Sequence, residues 1–162
     1  MDNSEIEQTL DRALTAFEAE PIELETGLDV DDPALLQLRK ACRLHTAADF
    51  LRSRNGYYTV IIEASFAAIE RTIQFYLLET DMLDEADFVT HEHVYELGRQ
   101  AALYGDTFAE KLLDLWRNNR SDTYYREGRG SDFRAQIMHD LATDIHAHVL
   151  QLAGKSHECI CQ

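Results

Sequence analysis

The strongest constraint on this chain is the distribution of its helix breakers. It has two prolines, Pro21 and Pro33, and none from residue 34 onward. Proline removes a backbone donor and clashes with the preceding helical turn, so a long proline-free stretch leaves helices uninterrupted. Beyond Pro33, apolar residues recur at i, i+3 and i+4, and no alternating strand pattern persists. The expected fold is all-α: an up-and-down bundle of four to five antiparallel helices, with an extra amphipathic helix at the N-terminus.

Residues 4–19 read as that first helix, with Ile6, Leu10, Ala13, Leu14 and Phe17 on one face. An acidic linker follows and ends at Asp31-Asp32-Pro33, which also starts a second helix, about 34–54, with proline in its first turn. Leu35, Leu38, Cys42, Ala48 and Leu51 are its expected core stripe, and Asn55-Gly56 its stop. The third helix, about 57–80, is apolar around most of its circumference, so it is either central in a bundle or buried in a dimer interface. A fourth helix, about 91–104, is expected after the N-cap Thr90, and a fifth, about 107–119, after Asp106. Ser131 opens the last, about 132–153, with the stripe Phe133, Ile137, Leu141, Ile145, Val149 and Leu152. The chain thus divides into an acidic arm (1–33), a helical body (34–153) and a flexible tail (154–162).

Charge is unevenly spread. The formal net charge is −15, from 30 acids against 15 Lys and Arg. Residues 1–32 hold 11 acids and one arginine, which is ten of those fifteen net charges. There are 12 arginines but only 3 lysines. Acid excess with few lysines is the pattern of proteins from salt-loving archaea, where salt screens the self-repulsion of a carboxylate-rich surface. Such a surface repels nucleic acid unless a local basic patch intervenes. No apolar run is long enough for a membrane span, and Met1-Asp2-Asn3-Ser4-Glu5 does not read as a signal peptide. The expected location is the cytoplasm.

Three cysteines do not make a disulfide framework. The tail segment His157-Glu158-Cys159-Ile160-Cys161 has a Cys-x-Cys and one histidine, without the paired spacing of zinc knuckles, and reads as a frayed terminus. The seven histidines read as surface or interface residues, because His139 and His146 lie roughly 10 Å apart along one helix, too far for one ion. Glu63 and Glu70 form a polar line on the third helix that could belong to a groove, but the favoured expectation is that Glu70, with Arg71 and Gln74, is ordinary helix surface. No metal and no cofactor is expected, and no phosphate-cradling glycine loop occurs.

One segment departs from the general acidity. From Arg117 through Arg134 there are five arginines and three acids. Arg117 and Arg120 are three residues apart and can share a helix face. Guanidinium groups suit bidentate contact with phosphate. Arg126 and Arg129 add charge, Tyr124 and Tyr125 offer rings for a base, and Ser131 opens a helix whose free N–H groups attract anions, with Gly130 allowing close approach. The competing expectation is that these arginines pair with neighbouring carboxylates such as Asp114, Asp122 and Asp132.

A bundle with an Arg-rich, Tyr-containing turn between its last two long helices resembles the HEPN domain superfamily. The run Tyr57-Tyr58-Thr59-Val60-Ile61 resembles the tyrosine-rich second helix of that fold, and Arg120-Ser121-Asp122-Thr123-Tyr124-Tyr125 matches the Arg-to-Tyr spacing of its nucleotidyltransferase-associated variant, Arg-x-x-Ala-Asp-Tyr, without the Ala-Asp; the alternative register runs from Arg117 to Tyr124. The resemblance covers roughly residues 34–153. It implies a dimer, a nucleotide or RNA ligand, Arg120 and Tyr125 at the position of the catalytic pair, and a nucleotidyltransferase or toxin–antitoxin setting. The family's ribonucleases use an arginine and a histidine, and no histidine lies between Arg117 and His139. Tyr125 is a poor general base, since a phenol has a reference pKa near ~10.

Two functional expectations therefore stand. In the first, Arg117, Arg120, Tyr124, Arg126, Arg129 and Ser131 bind nucleotide or RNA phosphate. In the second, the chain is a non-catalytic homodimeric interaction module, paired through its third helix with the arm of residues 1–32 docked on the bundle, and the arginine turn is structural.

Overall fold

A computed structural model describes residues 3–19, 25–87, 89–119 and 130–161. Among these residues all regular structure is helical: α1 (Asn3–Glu18), α2 (Pro33–Arg52), α3 (Tyr58–Glu79), α4 (His91–Gln100), α5 (Asp106–Asn118), α6 (Asp132–Ala153) and a 3-10 turn at Ser156–Glu158. The all-α bundle is the one expected. Among the described residues, no helix is long and apolar enough to cross a membrane.

Local chemistry sets most boundaries. Asp32 caps α2, its carboxylate accepting from the Leu35 N–H at 2.9 Å, with Pro33 in the first turn. Asn55, Gly56 and Tyr57 all take left-handed backbone, with φ of 53°, 104° and 58°, and reverse the chain between α2 and α3. Ser131 caps α6 by accepting from the Arg134 N–H.

The central element is α3. Ile61, Ile62, Phe66, Ile69, Ile73, Phe75 and Leu77 are buried, and α2, α6 and α4 pack around them. Most of its apolar circumference is thus covered within one chain, Val60 being the large apolar residue left exposed. Arg39, Arg43 and Arg52 on α2 pair with Glu158, Glu25 and Asp49, so the basic face of that helix is committed internally.

Three sequence expectations need correction. Helix α4 ends at Gln100, not near 104. Ala102 turns left-handed (φ 56°), and the Leu103 and Ala102 N–H groups donate back to the Gly98 and Arg99 carbonyls, each at 3.0 Å. This is the Schellman closure, here with alanine where glycine is usual. Asp106 does not cap α5: Gly105 holds that position, and the Asp106 carboxylate accepts from Arg99 at 3.0 Å. Helix α6 is rotated from the expected stripe. Phe133, Ile137 and Leu152 are exposed, while Ala135, Met138, His139, Ala142, Ile145, His146, Val149 and Leu150 face inward. Small residues and imidazoles on that face let α6 approach α3 closely.

Candidate functional site

The arginine turn is only partly within the described residues. Arg120, Tyr124, Tyr125, Arg126 and Arg129 lie outside them. Arg117, in the last turn of α5, donates from Nε to Glu92 Oε1 on α4 at 3.0 Å, and this partner raises its already high pKa. The Ser131 hydroxyl is engaged by the Arg134 N–H. At Gly130 a Cβ would sit 2.7 Å from the Thr59 nitrogen, so this backbone is pressed against the start of α3. Close approach is needed there, and within the chain its object is another helix.

Glu70 is not surface. It is 8% exposed, accepting from the Tyr95 hydroxyl at 3.1 Å and facing His91 Nδ1 at 2.6 Å. The His91 ring in turn stacks on Trp116. The carboxylate links α3 to α4 and lines a cleft with Arg71, Gln74 and Val94.

The densest group of reactive side chains lies elsewhere, beneath the C-terminal tail. Gly154 ends α6 in left-handed backbone (φ 67°), and the Lys155 N–H donates to the Leu150 carbonyl at 3.0 Å. The chain then folds back. Glu158 pairs with Arg39 at 3.2 Å, Lys155 with Glu79 at 2.9 Å, and Cys159 and Ile160 pack on the core. Ile160 also abuts Gly27, where an added Cβ would come within 2.7 Å of it. The expected frayed terminus is therefore a docked one, held by two ion pairs and an apolar anchor.

Docking brings Cys159 and Cys161 to Cys42 of α2 and His146 of α6. Cys42 Sγ lies 3.7 Å from Cys159 Sγ and 3.8 Å from His146 Nε2. His146 Nε2 lies 3.5 Å from Cys159 Sγ and 3.4 Å from Cys161 Sγ. All four donor atoms fall within 4.8 Å of one another, and all three cysteines are free thiols. On the far side of the imidazole, Nδ1 is 3.1 Å from the Thr72 hydroxyl. The side-chain hydrogen bond from Cys161, with help from His146 and the Ile160 backbone, pulls the Cys42 thiol pKa down against burial. The reciprocal contact with Cys42, together with burial, pushes Cys161 up. One negative charge in the group thus opposes a second.

Residues 1–161 match the model of a family described as a domain of unknown function (DUF8154). The chain belongs to the DUF8154 family. The match takes in the arm, the bundle and the docked tail, with all four Cys and His positions. No curated protein and no solved structure matches the chain.

In this DUF8154 chain His146 heads a row of buried imidazoles, contrary to the surface role expected for them. The His45 ring centroid lies 4.9 Å from that of His146 and 5.8 Å from that of His139. Burial, then the neighbouring His146 and His139, hold His45 down to about 4, so it is neutral at pH 7. His139 Nδ1 accepts from Arg52 at 3.1 Å, which turns Nε2 toward Asp49 at 3.5 Å. The sequence does carry a signal for the Cys/His group. Cys42 lies on the α2 core stripe, and His146 is flanked by the inward positions Ile145 and Val149. Polar ligating residues at core positions of two helices, together with a Cys-x-Cys, are the pattern that local spacing rules miss.

Proposed function

We propose that this DUF8154 chain is a non-catalytic interaction module that works as a homodimer, the apolar stripe of α1 from one copy seated in a groove on the other. The observation that carries this reading is the exposure of α1. Ile6, Leu10 and Leu14 are 55%, 57% and 56% exposed, and Phe17 is 93% exposed. An amphipathic helix draws its stability mainly from packing of its apolar face. Burying four such side chains contributes about 1.5–3 kcal/mol each before the costs of association. A receiving groove lies between α3, α5 and α6, lined by Ile62, Phe66, Leu115, Phe133, Ile137 and Leu141, with Arg134 at its edge. The polar side of α1 is acidic, through Glu5, Glu7, Asp11 and Glu18, which complements that arginine. Because α3 is enclosed within its own chain, the dimer contact moves from α3 to α1 and this groove. The module belongs in the cytoplasm, where its thiols stay reduced.

Sedimentation of the full chain tests the reading. A dimer is expected at micromolar concentration, converted to monomer by Leu10→Glu with Leu14→Glu and, separately, by Ile137→Glu, with helical circular dichroism preserved. A wild-type chain that sediments as a monomer overturns it.

The second reading keeps nucleotide or RNA phosphate as ligand of the turn from Arg117 to Ser131, in the manner of a HEPN domain beside a nucleotidyltransferase or in a toxin–antitoxin pair. It is favoured by the local excess of arginine in an acidic chain and by the Arg120-to-Tyr125 spacing. Arg117 pairs with Glu92, so a phosphate bound at that guanidinium would displace a carboxylate. Titration with labelled RNA and with nucleotide tests it: Arg117→Ala with Arg120→Ala abolishes binding if the reading holds, and unchanged affinity overturns it. Metal-independent RNA cleavage that disappears in Arg120→Ala would add catalysis.

A further inference from the structure

We propose that Cys42, His146, Cys159 and Cys161 form a closed tetrahedral site for a single Zn²⁺ ion. The inference stands on the geometry of these four side chains and is independent of both functional readings.

Four of the six donor–donor distances match the edges of a coordination tetrahedron, and the other two fall within 4.8 Å. With Zn–S of about 2.3 Å and Zn–N of about 2.0–2.1 Å, tetrahedral edges are about 3.8 Å between sulfurs and about 3.5 Å between sulfur and nitrogen. The Cys42–Cys159 sulfur edge is 3.7 Å, the three sulfur–nitrogen edges are 3.8, 3.5 and 3.4 Å, and the two remaining sulfur edges, both to Cys161, are no longer than 4.8 Å. A disulfide is a different arrangement, since its sulfurs stand about 2.05 Å apart. Thiols are weak hydrogen-bonding groups, so mutual hydrogen bonding is a poor reason for three of them and an imidazole to converge on one point.

The donor set selects the ion. Three thiolates and one imidazole are soft and borderline ligands, suited to Zn²⁺ and unsuited to Mg²⁺ or Ca²⁺, which take oxygen. Four donors mutually within 4.8 Å surround one ion, whereas a two-iron cluster divides its ligands between two metals. Four protein ligands leave no position for water, which is the signature of a structural site and not of a hydrolytic one. The outer contact also fits. With Nε2 on the metal, Nδ1–H donates to the Thr72 hydroxyl, and partners of this kind fix the tautomer and orientation of ligating histidines.

The ligands come from α2, from α6 and twice from the tail. The metal would therefore fasten two bundle helices to the returning C-terminus. Such a staple explains how the segment 154–161 is held against the bundle. Cys161 itself is exposed, and burial alone gives it little reason to sit where it does.

The test uses the full chain, reduced and stripped of metal, titrated with Zn²⁺ against a chromophoric chelator and with Co²⁺ in parallel. One equivalent of Zn²⁺ is expected. Co²⁺ is expected to give the intense visible bands of a tetrahedral ion and the near-ultraviolet charge transfer of thiolate ligation. Cys159→Ser with Cys161→Ser is expected to lose both while the helical signal stays, because these ligands lie outside the bundle helices. Cys42→Ser and His146→Ala occupy core positions, so the tail variant is the deciding one. No uptake by the wild-type chain, or uptake and spectrum unchanged in the tail variant, overturns the proposal.

Discussion

The Thr72 hydroxyl on α3 stands 3.1 Å from Nδ1 of His146 on α6, and this contact turns the other imidazole nitrogen toward the three sulfurs. Both residues are buried, Thr72 completely. Thr72→Val keeps the shape and removes the oxygen. The freed Nδ1–H is then unsatisfied, which costs about 1–3 kcal/mol of folding stability. Loss of an outer partner lowers metal affinity by about 10–100-fold. Thr72→Ser is expected to restore much of both. Zinc competition and urea unfolding on the three proteins decide this, and equal zinc affinity in the valine variant would remove Thr72 from the site.

Gly154 and Ala102 occupy equivalent positions after α6 and α4, with φ of 67° and 56°. Left-handed backbone costs an L-residue about 1–2 kcal/mol and glycine almost nothing. Gly154→Ala is therefore expected to destabilise the fold and Ala102→Gly to stabilise it. Each effect is reduced by about 0.4–1 kcal/mol because glycine also loosens the unfolded chain. Opposite shifts of the urea midpoint are the expected result. Gly154→Ala carries a second consequence, weaker zinc binding, because that residue aims the tail at His146.

The same two positions mark where the sequence was readable. Helix ends written in local chemistry, such as Asp32-Pro33, Asn55-Gly56 and Ser131, were legible to within a residue or two. The end of α4 was not, because nothing about Ala102 announces a left-handed turn. The all-α class and the central place of α3 followed from apolar periodicity. The facing of α6 did not, since Phe133 and Ile137 point out while His139 and His146 point in. The Cys/His group was hidden for a different reason. Its members stand at 42, 146, 159 and 161, and only the folding back of the tail after Gly154 makes them neighbours.

Tyr95 is 1% exposed and donates its hydroxyl to Glu70 Oε1. Tyr95→Phe preserves the ring and removes one of the partners of a buried carboxylate. Hydrogen bonds to charged groups contribute about 1.5–3 kcal/mol, so a loss in that range is expected. Glu70→Gln should cost less, because the amide can still accept from Tyr95 and carries no charge to desolvate. Urea unfolding of both variants checks the order. A phenylalanine variant as stable as wild type would make this hydrogen bond energetically silent.

Salt separates the two functional readings, because they predict opposite signs. Two copies that each carry −15 repel at long range. Raising ionic strength from about 0.01 M to about 1 M shortens the screening length from about 30 Å to about 3 Å. Apolar docking of α1 gains from this screening, so the homodimer should tighten as KCl rises. Phosphate binding goes the other way, since each neutralised phosphate of a single strand contributes about −0.7 to the slope of log K against log salt. If Arg117 and Arg120 each neutralise one phosphate, the slope is about −1.4. Sedimentation and RNA titration across one KCl series measure both. A dimer that loosens with salt would contradict apolar docking, and RNA binding indifferent to salt would contradict a phosphate site at the arginine turn.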